Sequence, residues 1–232
     1  MEQRTLLSSD RVQSESSRTL VTPDLLAAVL REGRSKNAAP EEPTAVLRGD
    51  HDLNPDLRCP GGTERPAAVL VPLFGRRREP HVLLTRRSSA LTNHAGQIAF
   101  PGGCSEPEDA DARATALRET QEEIGLGPER IQPLGQLDLY VTRTGFAVTP
   151  IVGWIQDEIA LDQLILDPRE VDEVFEVPLG FFLDPANRQR HARTYEGRAR
   201  YFYAYPYRNY YIWGATAGML NNLAERLLGR EC

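Results

Sequence analysis

The chain has 232 residues, 41% of them hydrophobic and 26% charged, an ordinary balance for a soluble globular protein with one full core and room for an extension. Its formal net charge of −6 excludes a general nucleic-acid binder, which needs a basic face to neutralise phosphates. No apolar run approaches the ~18–20 residues that cross a bilayer, and no secretory apolar region opens the chain, so a membrane is not an expected partner either.

Residues 1–20 are polar and Ser-rich and are expected to be disordered. Their Ser and Arg content hints at a transit segment, but Glu2, Asp10 and Glu15 argue against one. Thr22-Pro23 opens a short helix from Asp24 to Arg31, with Thr at the N-cap and Pro in the first turn, and Gly33 ends it. Residues 34–62, rich in Pro, Gly, Asn and Asp, read as a long irregular connection. Residues 1–62 are therefore expected to form an N-terminal extension outside the catalytic core, and residues 63–232 the folded domain.

Within that domain, the apolar runs Ala67 to Leu73 and His81 to Arg86 flank a turn-forming stretch and predict a hairpin. Gln97 to Phe100 is a short strand leading into Gly102-Gly103, and Asp111 to Ile124 is a helix. Leu134 to Tyr140 and Phe146 to Ile155 read as strands, with the turn at Thr144-Gly145. A short helix is expected within Asp167 to Phe175 and a second after Val177-Pro178-Leu179. Arg193 to Glu196 and Arg200 to Ala204 predict a hairpin around Gly197, and Ala215 to Leu228 an amphipathic helix. Mixed strands with helices on two faces make this an α/β chain. The three cysteines, Cys59, Cys104 and Cys232, form neither a metal-ligand spacing nor a disulfide framework, which fits a reducing cytoplasm.

The helix carries the chemistry. Glu119, Glu122 and Glu123 stand at i, i+3 and i+4 and share one helical face. Stacked like charges destabilise a helix by roughly 0.2–0.5 kcal/mol per i,i+4 pair, and a cation between them reverses that sign. Hard oxygen ligands suit Mg²⁺ or Mn²⁺, which in turn suit phosphates. Gly103 permits a close approach of its carbonyl to metal or phosphate. Arg118, inside the cluster, offsets its repulsion.

These residues resemble the Nudix hydrolase signature, Gly-x5-Glu-x7-Arg-Glu-Φ-x-Glu-Glu-x-Gly-Φ, where Φ is a bulky aliphatic. The second half matches from Arg118-Glu119 through Gly125-Leu126, with Thr120 at the first Φ. The first half is offset by one residue: Gly103 and Asp109 stand where the signature has Gly and Glu, so the loop before the helix is one residue longer. A second stretch, Leu83-Leu84-Thr85-Arg86-Arg87 through His94-Ala95-Gly96-Gln97-Ile98-Ala99-Phe100-Pro101-Gly102-Gly103, resembles the motif of the coenzyme A pyrophosphatase branch of that family. One position departs: that branch has Arg four residues before Gly96, and this chain has Thr92.

The resemblance implies a Nudix-like α/β/α sandwich with a mixed sheet. It implies metal-dependent hydrolysis of the pyrophosphate of coenzyme A or its derivatives, a small-molecule substrate. Implied metal ligands are Glu119, Glu122 and Glu123, with the Gly103 carbonyl, and Arg118 orients them. Arg86, Arg87, Gly102 and Gly103 are the expected substrate contacts, Arg87 matching the motif and implying a grip on the nucleotide phosphates. Glu122, Glu170 and Glu173 are alternative proton acceptors. Glu106, Glu108 and Asp109 are expected to be solvated loop charge, the alternative being that one reaches the metal through water; Cys104 is expected to be an inert loop residue and His94 a structural loop residue; Tyr210, Tyr211 and Trp213 are expected to pack the core, the alternative being that they stack a base. The rival readings are hydrolysis of ADP-ribose, a dinucleotide or a nucleotide triphosphate, and a non-catalytic nucleotide-binding module.

Overall fold

The computed structural model describes residues 22–32, 47–57, 64–76, 79–156 and 159–229. The expected disorder of residues 1–20, the helix stop at Gly33 and the tip of the first hairpin lie outside the described residues. The strands β2 (Arg65–Arg76) and β3 (Glu79–Arg87) pair antiparallel as expected. Along β2, Ala67, Val71 and Leu73 enter one core while Ala68, Leu70 and Phe74 enter another. Side chains of a strand alternate between faces, so this split means that both faces of the sheet are covered.

Around that pair runs one mixed sheet. Its hydrogen-bonded order is β1 (Leu47–Gly49), β7 (Leu139–Val141), β8 (Phe146–Ile155), β2, β3 and β4 (Ile98–Ala99). β5 (Gly102–Cys104) pairs with β2, β6 (Ile131–Gln136) with β8, and β9 (Val171–Pro178) with β3. The central β2–β8 contact is parallel, from Arg65↔Phe146 to Leu73↔Trp154. The helix α2 (Ala112–Ile124) covers one face through Ala116 and Ile124. On the other face lie α1 (Pro23–Glu32), α3 (Leu179–Leu183) and α4 (Ala215–Leu227), through Leu26, Leu30, Leu179, Phe182, Leu220 and Leu223. This is the expected α/β/α sandwich.

A separate antiparallel sheet holds β10 (Gln189–Tyr195), β11 (Arg198–Tyr207) and β12 (Tyr210–Trp213). Its first turn is Glu196-Gly197, with φ of 49° and 74°. Two left-handed residues match the twist of the strands they join, and glycine takes one of them freely. The hairpin around Gly197 is therefore as expected, and longer. Among the described residues no helix is long and apolar enough to cross a membrane.

Four expectations change. The helix within Asp167 to Phe175 is absent: Glu170 N–H closes a turn on the Asp167 carbonyl, and Val171 onward is strand β9, locked to β3 from His81↔Pro178 to Arg87↔Val171. Strand pairing overrides a weak helical pattern there. The run Leu134 to Tyr140 is two strands rather than one: the ladder with β8 stops after Gln136 and resumes at Tyr140, and between them the Asp138 N–H turns to the Asn222 side chain at 3.1 Å. The stretch 34–62 contains β1, paired parallel with β7, and a 3-10 turn at Asp50–Asp52. The segment before residue 63 does not stay outside the core, since Leu26 and Leu30 of α1 are 0% and 2% exposed. Burying a leucine contributes roughly 1.5–3 kcal/mol, which favours a short helix that is marginal alone.

Candidate active site

The glycines build the floor. Gly102 has φ 152°, and a Cβ there would run into the Ala68 carbonyl, so only glycine lets β5 lie on β2. At Gly103 a Cβ would stand 2.5 Å from Glu119 Cδ and 2.6 Å from each of its carboxylate oxygens. The Glu119 carboxylate thus rests directly on the Gly103 backbone.

The helix is set at both ends. Asp111 Oδ1 accepts the Ala114 N–H at 2.8 Å as N-cap. Gly125, at φ 68°, closes the C-terminus with its N–H on the Gln121 carbonyl at 3.0 Å. Between them, Glu119 and Glu123 turn inward, with side-chain exposure of 15% for Glu119 and only 3% of Glu123 accessible. Glu122 sits at the rim, its side chain 60% exposed.

Arg118 ties the helix to the loop before it. Its Nε and Nη2 donate to Asp109 Oδ1 and Oδ2 at 3.1 and 3.0 Å, and Nη2 also to the Cys104 carbonyl at 3.1 Å. Its Nη1 stands 3.0 Å from Glu119 Oε1 and 3.3 Å from Glu122 Oε2. A bidentate guanidinium–carboxylate pair fixes orientation as well as charge. The guanidinium holds the Asp109 carboxyl well below the usual carboxylate range, and Asp109 raises Arg118 in return. Asp109 is therefore not solvated loop charge: its side chain is 6% exposed and also accepts from Thr115 Oγ1 at 2.9 Å. The spacing from Gly103 to Asp109 in the sequence was the signal for this role.

Burial pushes the Glu123 carboxyl up to about 8; Glu170 and Glu119 add to the rise, while Arg87 and the Gly102 N–H oppose it. Burial also raises Glu119, against the pull of Arg118. Glu170 arrives on a turn pinned at three points. Asp167 N–H donates to the Glu123 carbonyl at 2.9 Å, Ser88 N–H to the Glu170 carbonyl at 2.8 Å, and Ser88 Oγ to the Pro168 carbonyl at 3.1 Å.

The two arginines ending β3 part company, as neighbouring strand residues do. Arg87 lines the cleft beside these carboxylates, and its buried Nε has no hydrogen-bond partner among the described residues. Arg86 pairs instead with Glu173, which also accepts the Tyr210 hydroxyl at 2.6 Å. Neither Arg86 nor Glu173 lines the cleft, so the expected substrate contact at Arg86 and the proton acceptor at Glu173 are spent on each other.

The cleft itself encloses about 1050 Å³, the upper end of the range for small-molecule sites. Glu119, Glu170, Arg87, Gly102 and Gly103 form one wall, and the small sheet forms another. Trp213 lines it, half-buried and edge-on to Phe202 at 5.3 Å, rather than filling the core as expected. Tyr210 does pack inward, stacked on Phe175 at 3.6 Å, while Tyr211 is exposed and bonded to His191. His94, at φ 59°, lines the cleft and bonds the Gln97 side chain at 2.9 Å. Cys104 lies in β5 with an exposed thiol. Asp50, Asn54, Arg143 and Arg193 also line the cleft; no motif marks them.

The family model for the NUDIX domain matches residues 64–197. This chain belongs to the Nudix family. It is a hydrolase of a pyrophosphate substrate. The protein named Uncharacterized Nudix hydrolase NudL of Photorhabdus laumondii is 40% identical over 182 residues, 78% of this chain and 95% of that protein. Its namesake in Escherichia coli is 38% identical over 175 residues, 75% of this chain and 89% of that one. The crystal structure of a NUDIX hydrolase from Alicyclobacillus acidocaldarius superposes with a TM-score of 0.41 at 22% identity, over 52% of this chain and 81% of that chain.

Nudix hydrolases generally use divalent metal ions. Among the described residues no three candidate side chains are gathered closely enough to enclose an ion, because Arg118 holds Glu119 and Glu122 leans to solvent. The donor chemistry still fits a hard cation. Glu119, Glu123 and Glu170 repel one another around buried oxygens, and added positive charge is what would relieve them.

Proposed function

We propose that this Nudix hydrolase cleaves the pyrophosphate of coenzyme A or its derivatives, releasing 4'-phosphopantetheine species and adenosine 3',5'-bisphosphate, with Mg²⁺ or Mn²⁺ as cofactor. The observation that carries this reading is where the branch motif lies. Arg87, His94, Gln97, Ile98, Ala99, Gly102 and Gly103 all line the cleft, so the residues that distinguish the branch are also the ones a substrate would meet.

Glu119 and Glu123 would hold the cation. When bound, it neutralises charge growing on the phosphoryl oxygens. Arg118 fixes the Glu119 carboxylate, and the Gly103 backbone leaves it room. Arg87 carries a desolvated Nε beside Glu123 and binds the diphosphate through a charge-assisted contact. Glu170 accepts the proton as water attacks phosphorus and the anhydride P–O bond breaks. Glu122, at the rim and engaged by Arg118, is the weaker acceptor.

The test is product analysis of a substrate panel, with Mg²⁺ and with Mn²⁺. Coenzyme A should give the two products above with a higher kcat/KM than ADP-ribose. Thr92, which is exposed, supports the alternative of another nucleoside diphosphate derivative. Rapid ADP-ribose cleavage with coenzyme A left intact would replace the first reading by the second.

A further inference from the structure

The chain is acidic overall, yet its small sheet is basic. Between Gln189 and Tyr207 it carries Arg190, Arg193, Arg198 and Arg200 against Glu196 alone. Arg193 and Arg200 are direct cross-strand partners. Like charges placed directly opposite destabilise a strand pair, so the arrangement calls for an anion. Asp56 supplies one to Arg200, at 2.7 Å, and to Arg198, at 3.5 Å. Arg190 lies over the Tyr201 ring, 4.0 Å from its centroid. Arg193 has no carboxylate partner among the described residues, and it lines the cleft.

Its neighbours have a matching chemistry. His191, Arg193 and Tyr195 alternate along β10 onto one face, opposite Phe202 and Arg200 of β11, and Trp213 follows on β12. Trp213 and Phe202 line the cleft edge to face. Trp213 and Arg193 thus share one face of the small sheet, two strands apart, and both line the cleft; a ring that can stack a base and a guanidinium that can grip a phosphate some way from it suit the two ends of a nucleotide. The catalytic wall offers carboxylates, which take a diphosphate through a cation, and one guanidinium, Arg87, beside them. The small sheet offers a guanidinium that takes an anion directly.

We propose that this face binds the nucleoside end of the substrate, with Trp213 stacking the base and Arg193 reading a second phosphate that is not cleaved. It rests on the reading of the substrate as coenzyme A, whose 3'-phosphate is such a group. Arg87, beside the catalytic carboxylates, then serves the diphosphate alone.

The experiment compares wild type with Arg193→Gln on coenzyme A and on dephospho-coenzyme A. Arg193 is exposed on its strand, so the variant should melt like wild type. The variant should lose about tenfold to a hundredfold in kcat/KM on coenzyme A, the worth of one charge-assisted contact, and almost nothing on dephospho-coenzyme A. Equal losses on both substrates, or none on either, overturn the assignment. Calorimetric binding of adenosine 3',5'-bisphosphate against adenosine 5'-monophosphate separates this inference from the substrate reading. If wild type leaves coenzyme A intact, the substrate reading fails. A preference for the bisphosphate that Arg193→Gln abolishes still establishes the phosphate site, and no preference in wild type overturns it.

Discussion

Replacing Glu123 by Gln should stabilise the metal-free protein while removing its activity. Glu123 is 3% exposed and its carboxyl sits at about 8, against an ordinary 4.5. A raised folded-state pKa favours the protonated form. Its contribution to stability is fully present below about pH 4.5 and is lost as pH rises toward about 8. At 1.36 kcal/mol per unit, the charge penalty is at most about 5 kcal/mol above pH 8 and about 3 kcal/mol at pH 7. Glutamine keeps the oxygen that accepts the Gly102 N–H and offers its amide protons toward Glu119 and Glu170, so the penalty vanishes. For a chain of this length about 3 kcal/mol corresponds to roughly 6–12 °C in Tm. The assay is thermal unfolding of both proteins in chelator from pH 4.5 to 8.5. The two curves should coincide at the acid end and diverge steadily above pH 5, with the variant higher. Adding Mg²⁺ should raise wild type toward the variant and leave the variant nearly unchanged. A Tm difference independent of pH, or a variant that melts lower at pH 8, would refute the reasoning.

Glu119→Gln should cut metal-dependent turnover by orders of magnitude with the fold retained, and comparable turnover at saturating metal would remove Glu119 from the site. Gly103→Ala places a methyl 2.5 Å from Glu119 Cδ; the displaced carboxylate should lower kcat about 100-fold, the cost of roughly 1 Å of misplacement, as steady-state kinetics will show. Arg118→Gln should destabilise the protein at neutral pH. The depressed Asp109 carboxyl contributes stability that is present above its unfolded pKa and lost as pH falls, so the gap between wild type and variant in urea titrations should narrow in acid. Asn54→Ala removes the side chain that bonds both the Tyr201 N–H, at 2.8 Å, and the Tyr201 carbonyl, at 2.9 Å; the loss of two partly buried hydrogen bonds should cost about 1–2 kcal/mol, read as a shift of the urea midpoint.

What the sequence discloses here follows from how local each signal is. The carboxylate helix is legible because its spacing, N-cap and closing glycine sit within fifteen residues of one another and need no distant partner. β2, β3 and the hairpin at Gly197 are legible for the same reason. The strand β9 is not, because only its pairing with β3, some ninety residues earlier, makes it a strand. Arg86 and Arg87 look equivalent in the sequence; the alternation of β3, and what stands on each face, separates them. Asp109 was half visible, since its spacing from Gly103 matched the signature while its partner, Arg118, explained why a carboxylate is needed there. Asp50, Asn54 and Arg193 carry no local mark: Asp50 is held by the Tyr140 hydroxyl and Asn54 by Tyr201, both distant in the chain, and Arg193, although set on a local hairpin, meets the cleft only because that hairpin packs beside it.

The second wall of the cleft is assembled from parts of the chain made far apart in time. Translation delivers the chain from its N-terminus. Glu119, Glu123 and Glu170 leave the ribosome well before β11, β12 and α4. Yet Asn54 has no Tyr201 to hold, and Leu26 and Leu30 lack their α4 neighbours, until those last elements emerge. Without these elements the chain has its acidic helix but lacks the wall that the small sheet gives the cleft. Docking of β11 against the Asn54 loop and of α4 against α1 adds the second wall to the cleft.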